Sequence, residues 1–151
     1  MKQGLFEILE NTPLTQSVYK MTLQGDTSAI TAPGQFVNIQ LDGLFLRRPI
    51  SVCDVQGDQL TILYKVVGKG TMQMSKLSAG QLDVLTGLGN GYDLSKAGDM
   101  PVLIGGGVGV PETAGIGGHT HINGIGHLGI QFHTQIQQQF PNDLCAGGRF
   151  G

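Results

Sequence analysis

Apolar side chains at every second position, broken by glycine and proline turns, leave the first half of this chain little choice but short strands. Val37, Ile39 and Leu41 alternate with Asn38 and Gln40, and Leu60, Ile62, Tyr64 and Val66 alternate in the same way. Val18, Met21 and Leu23 lie among polar residues. A period of two puts such residues on one face of a half-buried strand. Ala32-Pro33-Gly34, Leu41-Asp42-Gly43 and Gln56-Gly57-Asp58 supply the turns between them. Strands at this spacing predict a small antiparallel barrel or sandwich. One short helix fits after Gly70, capped by Thr71, formed by Met72 to Leu77 and ended by Gly80. Farther on, Val102-Leu103-Ile104 runs into Gly105-Gly106-Gly107-Val108-Gly109, which predicts a buried parallel strand with a glycine turn at its carboxyl end.

With 151 residues the chain has room for one domain, or one domain and a fragment. A net charge of −2 gives no electrostatic case for nucleic acid or an anionic membrane surface. No apolar run approaches the roughly 20 residues of a membrane helix. Glu7 and Glu10 interrupt any secretory apolar core, so the cytoplasm is the expected compartment. Cys53 and Cys145 make neither a disulfide framework nor an iron–sulfur or zinc pattern. The character of the chain changes at Glu112: from there on it holds all four histidines, no lysine, and runs such as Gly115-Ile116-Gly117-Gly118 and Gln137-Gln138-Gln139.

Three clusters carry chemistry. In Arg47-Arg48-Pro49-Ile50-Ser51, Pro49 favours extended backbone before it, and an arginine held on a strand can grip a phosphate with two prongs. Ser51 can hydrogen-bond a polar ring edge; a basic strand end beside a turn is the plainer reading. In Tyr64-Lys65-Val66-Val67-Gly68-Lys69-Gly70-Thr71 a strand ends in a glycine turn and a helix starts, where free backbone N–H groups favour an anion. A simple strand–turn–helix corner would look the same. Gly105, Gly106, Gly107 and Gly109 suit a nucleotide-binding turn, or a flexible glycine loop. No pattern suggests a nucleophile or general base, so no catalytic side chain is assigned. His119-x-His121 with His127 and His133 could offer imidazoles to a metal, but glycine-rich flanks hold no ligand geometry, and no metal site is assigned.

In their order, these motifs resemble the ferredoxin–NADP reductase superfamily. Arg48-Pro49-Ile50-Ser51 matches its Arg-x-x-Ser strand, and Gly68-Lys69-Gly70-Thr71 its later phosphate turn. Ala32-Pro33-Gly34-Gln35-Phe36-Val37 looks like its usual lead-in to a strand, and Leu88-Gly89-Asn90-Gly91-Tyr92 like its LGNGF loop. Within the superfamily, Leu46 to Asp54 and Leu63 to Thr71 look most like the electron-transfer subunits of dihydroorotate dehydrogenase B. The resemblance covers residues 1–111. It implies a mainly β fold, a small antiparallel Greek-key flavin-binding barrel with one short helix, followed by the first strand of a truncated α/β nucleotide-binding domain and an irregular tail. It implies FAD, lined by Arg48, Pro49, Ile50 and Ser51, with Tyr64, Lys65 and Val66 beside the ring or ribityl chain and Gly70 and Thr71 at the phosphates. It also implies an oxidoreductase component that needs a partner, the FMN-containing dihydroorotate dehydrogenase catalytic subunit, in a heterotetramer. Electrons would pass from that subunit toward NAD in pyrimidine synthesis.

The expected division is a barrel over 1–98, the start of a nucleotide domain over 99–111 and non-family sequence over 112–151. A shift of reading frame would produce such a break. The family's [2Fe–2S] cluster needs four cysteines that this chain lacks, and with the nucleotide domain cut short direct exchange with NAD is not expected. Two other readings fit the same residues: a different flavin reductase or hydrogenase-linked subunit of the superfamily, and a barrel that serves as a structural module without cofactor.

Overall fold

The computed structural model describes residues 1–96. Six strands form a closed antiparallel barrel: β1 (Lys2–Pro13), β2 (Val18–Gln24), β3 (Phe36–Ile39), β4 (Arg48–Gln56), β5 (Gln59–Lys65) and β6 (Gln81–Leu88). Around the barrel their order is β1-β2-β5-β4-β3-β6, a Greek key in which β2 to β3 and β5 to β6 are the long connections. The second of these carries the helix α1 (Lys69–Met74). A short 3-10 turn covers Leu94–Lys96. Among the described residues no helix is long and apolar enough to cross a membrane.

Alternation does what it predicts in β3 and β5. Val37, Ile39, Leu60, Ile62 and Tyr64 all point inward, joined by Phe6, Met21, Leu23, Val52 and Val84 from the other strands. Met74 of α1 joins the same core. Each such side chain contributes about 1.5–3 kcal/mol by leaving water. Between β4 and β5 only Gly57 and Asp58 make the turn, and Gly57 takes the positive φ of 60° that tight hairpins need.

Two strands are not announced by alternation. In β1, Phe6 and Ile8 face inward while Leu5 and Leu9 face solvent, and the pairing with β2 shifts between Ile8 and Glu10. In β6, Leu82, Val84 and Thr86 face inward, so the third inward position is polar.

The helix differs from the expectation. It starts at Lys69 and ends at Met74, not Leu77. Gly68, in extended conformation, is the N-cap, and Thr71 is the third helical residue. The Thr71 hydroxyl reaches back to accept the N–H groups of Val67 (3.0 Å) and Gly68 (3.2 Å). The helix stops early because the next turn tightens: Lys76 N–H donates to Gln73 O (3.1 Å) and Leu77 N–H to Met74 O (3.0 Å). Gly80 ends the connection, not the helix.

Candidate functional site

β4 and β5 part company halfway along. Their pairing runs from Gln56↔Gln59 to Val52↔Ile62 and goes no further, although β4 extends to Arg48 and β5 to Lys65. Beyond that point Arg48 to Ser51 pair only with β3, as Ile39↔Arg48, Asn38↔Pro49, Val37↔Ile50 and Phe36↔Ser51. Leu63 to Lys65 pair only with β2, as Lys20↔Leu63, Tyr19↔Tyr64 and Val18↔Lys65. A seam therefore opens between the two motifs that the sequence singled out, and backbone groups along it are released from the ladder.

The adjacent arginines have separate tasks. Arg47 is tied into the barrel: its Nη1 donates to Asp83 Oδ1 (3.0 Å), Asp83 O (3.2 Å) and Asn38 O (3.4 Å). The Arg47 hydrogen bond holds the Asp83 carboxyl below the ordinary carboxylate range, with help from Gln3. Arg48 is half-buried and donates through Nη1 to Leu46 O (2.7 Å) and Arg47 O (3.4 Å). Among the described residues no carboxylate pairs with Arg48.

Arg48 reaches across the seam to α1. A Cβ on Gly70 would collide with the Arg48 side chain at Nε, and would lie 2.8 Å from Cδ and 2.9 Å from Cζ. Only a glycine lets the guanidinium lie this close to the first helical turn. A strand-borne fork and the N–H groups of a helix start are thus brought together, a combination suited to an anion with several oxygens. Gly70 and Thr71 are buried, while Lys65 and Lys69 stand exposed beside them.

The remaining predicted residues line the seam with different parts of themselves. Pro49 is exposed, and Ile50 and Ser51 are half-buried. Val66 and Ile50 pack against the edge of the core. The Tyr64 side chain turns the other way. It is buried, stacks on Tyr19 with ring centroids 5.7 Å apart, and donates its hydroxyl to Asn11 Oδ1 (2.9 Å). Tyr64 can therefore offer the seam only its backbone. Asn11 was not singled out by sequence reasoning. No local pattern marks it, because its partners lie 53 to 66 residues away.

The two loops that resembled family motifs lock onto one another. Gln35, buried, accepts the N–H groups of Thr31 (2.7 Å) and Ala32 (3.1 Å) and donates to Gly89 O (3.0 Å). Tyr92 N–H donates to Pro33 O (2.9 Å). Phe36 pairs with Ser51 on one side and Leu88 on the other, so this clamp abuts the Ser51 end of the seam. Gly105, Gly106, Gly107 and Gly109, the tail histidines and Cys145 lie outside the described residues.

Over an alignment of 183 positions, gaps included, the chain is 39% identical to the electron-transfer subunit of dihydroorotate dehydrogenase B (NAD(+)) from Listeria monocytogenes serotype 4a (strain HCC23), covering 95% of this chain and 72% of that relative. The chain belongs to that family. A dihydroorotate dehydrogenase B electron-transfer subunit from Bacillus mycoides (strain KBAB4) is 40% identical over 119 residues, covering 73% of this chain and 46% of the relative's length. The Listeria match necessarily takes in most of residues 112–151. No protein-family model matches the chain. Among solved structures, an NADH-dependent reduced ferredoxin–NADP oxidoreductase overlays with a TM-score of 0.55 at 30% identity, over 60% of this chain and 34% of that one. The ferredoxin reductase of carbazole 1,9a-dioxygenase shares the fold, with a TM-score of 0.60 at 20% identity over 75% of this chain and 38% of that one. Family membership agrees with the mainly β, ferredoxin-reductase-type barrel that the motifs implied.

Proposed function

We propose that the barrel holds FAD across the β4–β5 seam, and that the chain acts as the electron-transfer subunit for an FMN-containing dihydroorotate dehydrogenase catalytic subunit. Electrons would pass from that partner toward NAD, in cytoplasmic pyrimidine synthesis. The observation that carries this reading is the contact of the Arg48 side chain with Gly70 at the mouth of the seam. A cation beside a helix start suits a diphosphate, and that supports the reading.

The fit extends to the rest of the set. Arg48, Gly70 and Thr71 would hold the diphosphate. Pro49, Ile50 and Ser51 would line the flavin from β4, and the backbone of Tyr64 with Lys65 and Val66 would flank it from β5. When bound, the flavin supplies the redox chemistry; the chain binds it, orients it and shields one face from water. These 151 residues hold no complete ligand set for a [2Fe–2S] cluster. The chain has two cysteines, one of them the buried Cys53, against the four a cluster takes.

The test is direct. Purified protein is expected to be yellow, or to become so with FAD, and to co-purify with a dihydroorotate-oxidising, FMN-containing partner. Colourless protein that takes up no FAD would leave the barrel as a structural module and end the proposal.

A further inference from the structure

We infer that Asn11 is a positioning residue for the flavin site: one amide on β1 sets where the phosphate-binding end of α1 stands. The inference rests on the FAD reading above. Asn11 Nδ2 donates to Met74 O (2.9 Å) and Leu77 O (2.8 Å), and Asn11 Oδ1 accepts from the Tyr64 hydroxyl (2.9 Å). Both of its N–H donors are spent on carbonyls at the trailing end of α1. A helix of six residues is too short to hold itself in water. Met74 O already accepts the Leu77 N–H (3.0 Å), so Asn11 adds a second donor there and supplies one to Leu77 O, tying the turn that closes the helix to β1.

The leading end of the same helix carries Gly70 and Thr71. A unit this short moves as one body, so fixing Met74 and Leu77 fixes Gly70 against Arg48. Another side-chain tether comes from half-buried Gln73, whose Nε2 donates to Asp42 O (3.0 Å) in the β3–β4 loop. Through the Tyr64 hydroxyl, Asn11 also grips the strand that forms the far wall of the seam. A single side chain, which itself lines none of the proposed contacts with cofactor, thus joins the phosphate end of the site to its β5 wall.

Asn11→Asp keeps the shape but turns a carboxylate toward two carbonyl oxygens. Tyr64→Phe removes the hydroxyl and leaves both amide donors on the helix. Asn11→Ser keeps a shorter donor and serves if the aspartate variant does not fold. Each is made in the full chain. Amide hydrogen exchange over Lys69 to Leu77 is measured without flavin, and FAD affinity by fluorescence titration. Asn11→Asp and Asn11→Ser are expected to speed exchange in α1 selectively and to weaken FAD binding at least about tenfold, with Tyr64→Phe changing both less. Exchange that rises evenly over the whole barrel, or FAD affinity that stays at the wild-type value, overturns the inference alone. Wild-type protein that takes up no FAD overturns the flavin reading, and this inference with it.

Discussion

The Arg48 side chain occupies the place where a Gly70 side chain would have to be. The two residues come from different strand–loop units, and neither position is explained without the other. Gly70→Ala puts a methyl group into that contact. The Gly70 backbone does not lie at positive φ, so alanine suits it, and helix propensity favours alanine by about 0.5–1 kcal/mol. Arg48 is a flexible side chain and will swing aside. The expected outcome is unchanged or slightly higher stability in urea melts, with FAD affinity down at least about tenfold. Unchanged affinity would show that Arg48 is not needed at that spot.

The neighbouring arginines should fail in different ways. Arg47→Ala removes a charged donor from Asp83 and Asn38 and is expected to cost about 1–3 kcal/mol of folding stability. Arg48→Ala should leave stability within about 0.5 kcal/mol. It should weaken FAD binding about 10- to 100-fold, the worth of a charged hydrogen bond. Equilibrium denaturation and flavin titration on the two variants separate the cases; equal effects on both readouts would contradict the division of labour.

Tyr64 makes stability depend on alkali. Burial pushes its hydroxyl up from 10.0 to about 12, against the Asn11 hydrogen bond, which lowers it. The folded value lies above the unfolded one, so the contribution is complete below pH 10.0 and is lost as pH rises through about 12. Denaturation midpoints measured across that window should fall more steeply for the wild type than for Tyr64→Phe. Parallel slopes would place the tyrosine in contact with water.

Amides of Ser51, Leu63 and Lys65, on the seam side of their strands, should exchange faster than those of Asp54 and Thr61, which pair within the ladder. Adding FAD is expected to slow them. Mass spectrometry of exchange with and without FAD reads this out; protection that appears elsewhere on the barrel would move the binding site.

Alternation was legible where polar residues separate the inward ones: Asn38 and Gln40 stand between Val37, Ile39 and Leu41 in and after β3. β1 was hidden because Leu5 and Leu9 sit outside next to Phe6 and Ile8 within, and β6 because Thr86 takes an inward place. The helix start was misjudged because a hydroxyl was expected at the cap. Gly68 takes that place with no side chain, and Thr71 serves it from a turn further on. The motif around Arg48 was readable, yet which arginine is engaged depends on Asp83, 36 residues away. The seam itself left no trace in the residue pattern, because strand register is a property of pairs of strands and not of either one.

A barrel that stays unzipped along half of one strand pair is incomplete as a fold. Whatever flat, polar-edged molecule bridges the gap finishes the wall, so occupancy and thermal endurance are bound to rise and fall together. In a cell short of that molecule, the empty protein would be the form that proteases find first.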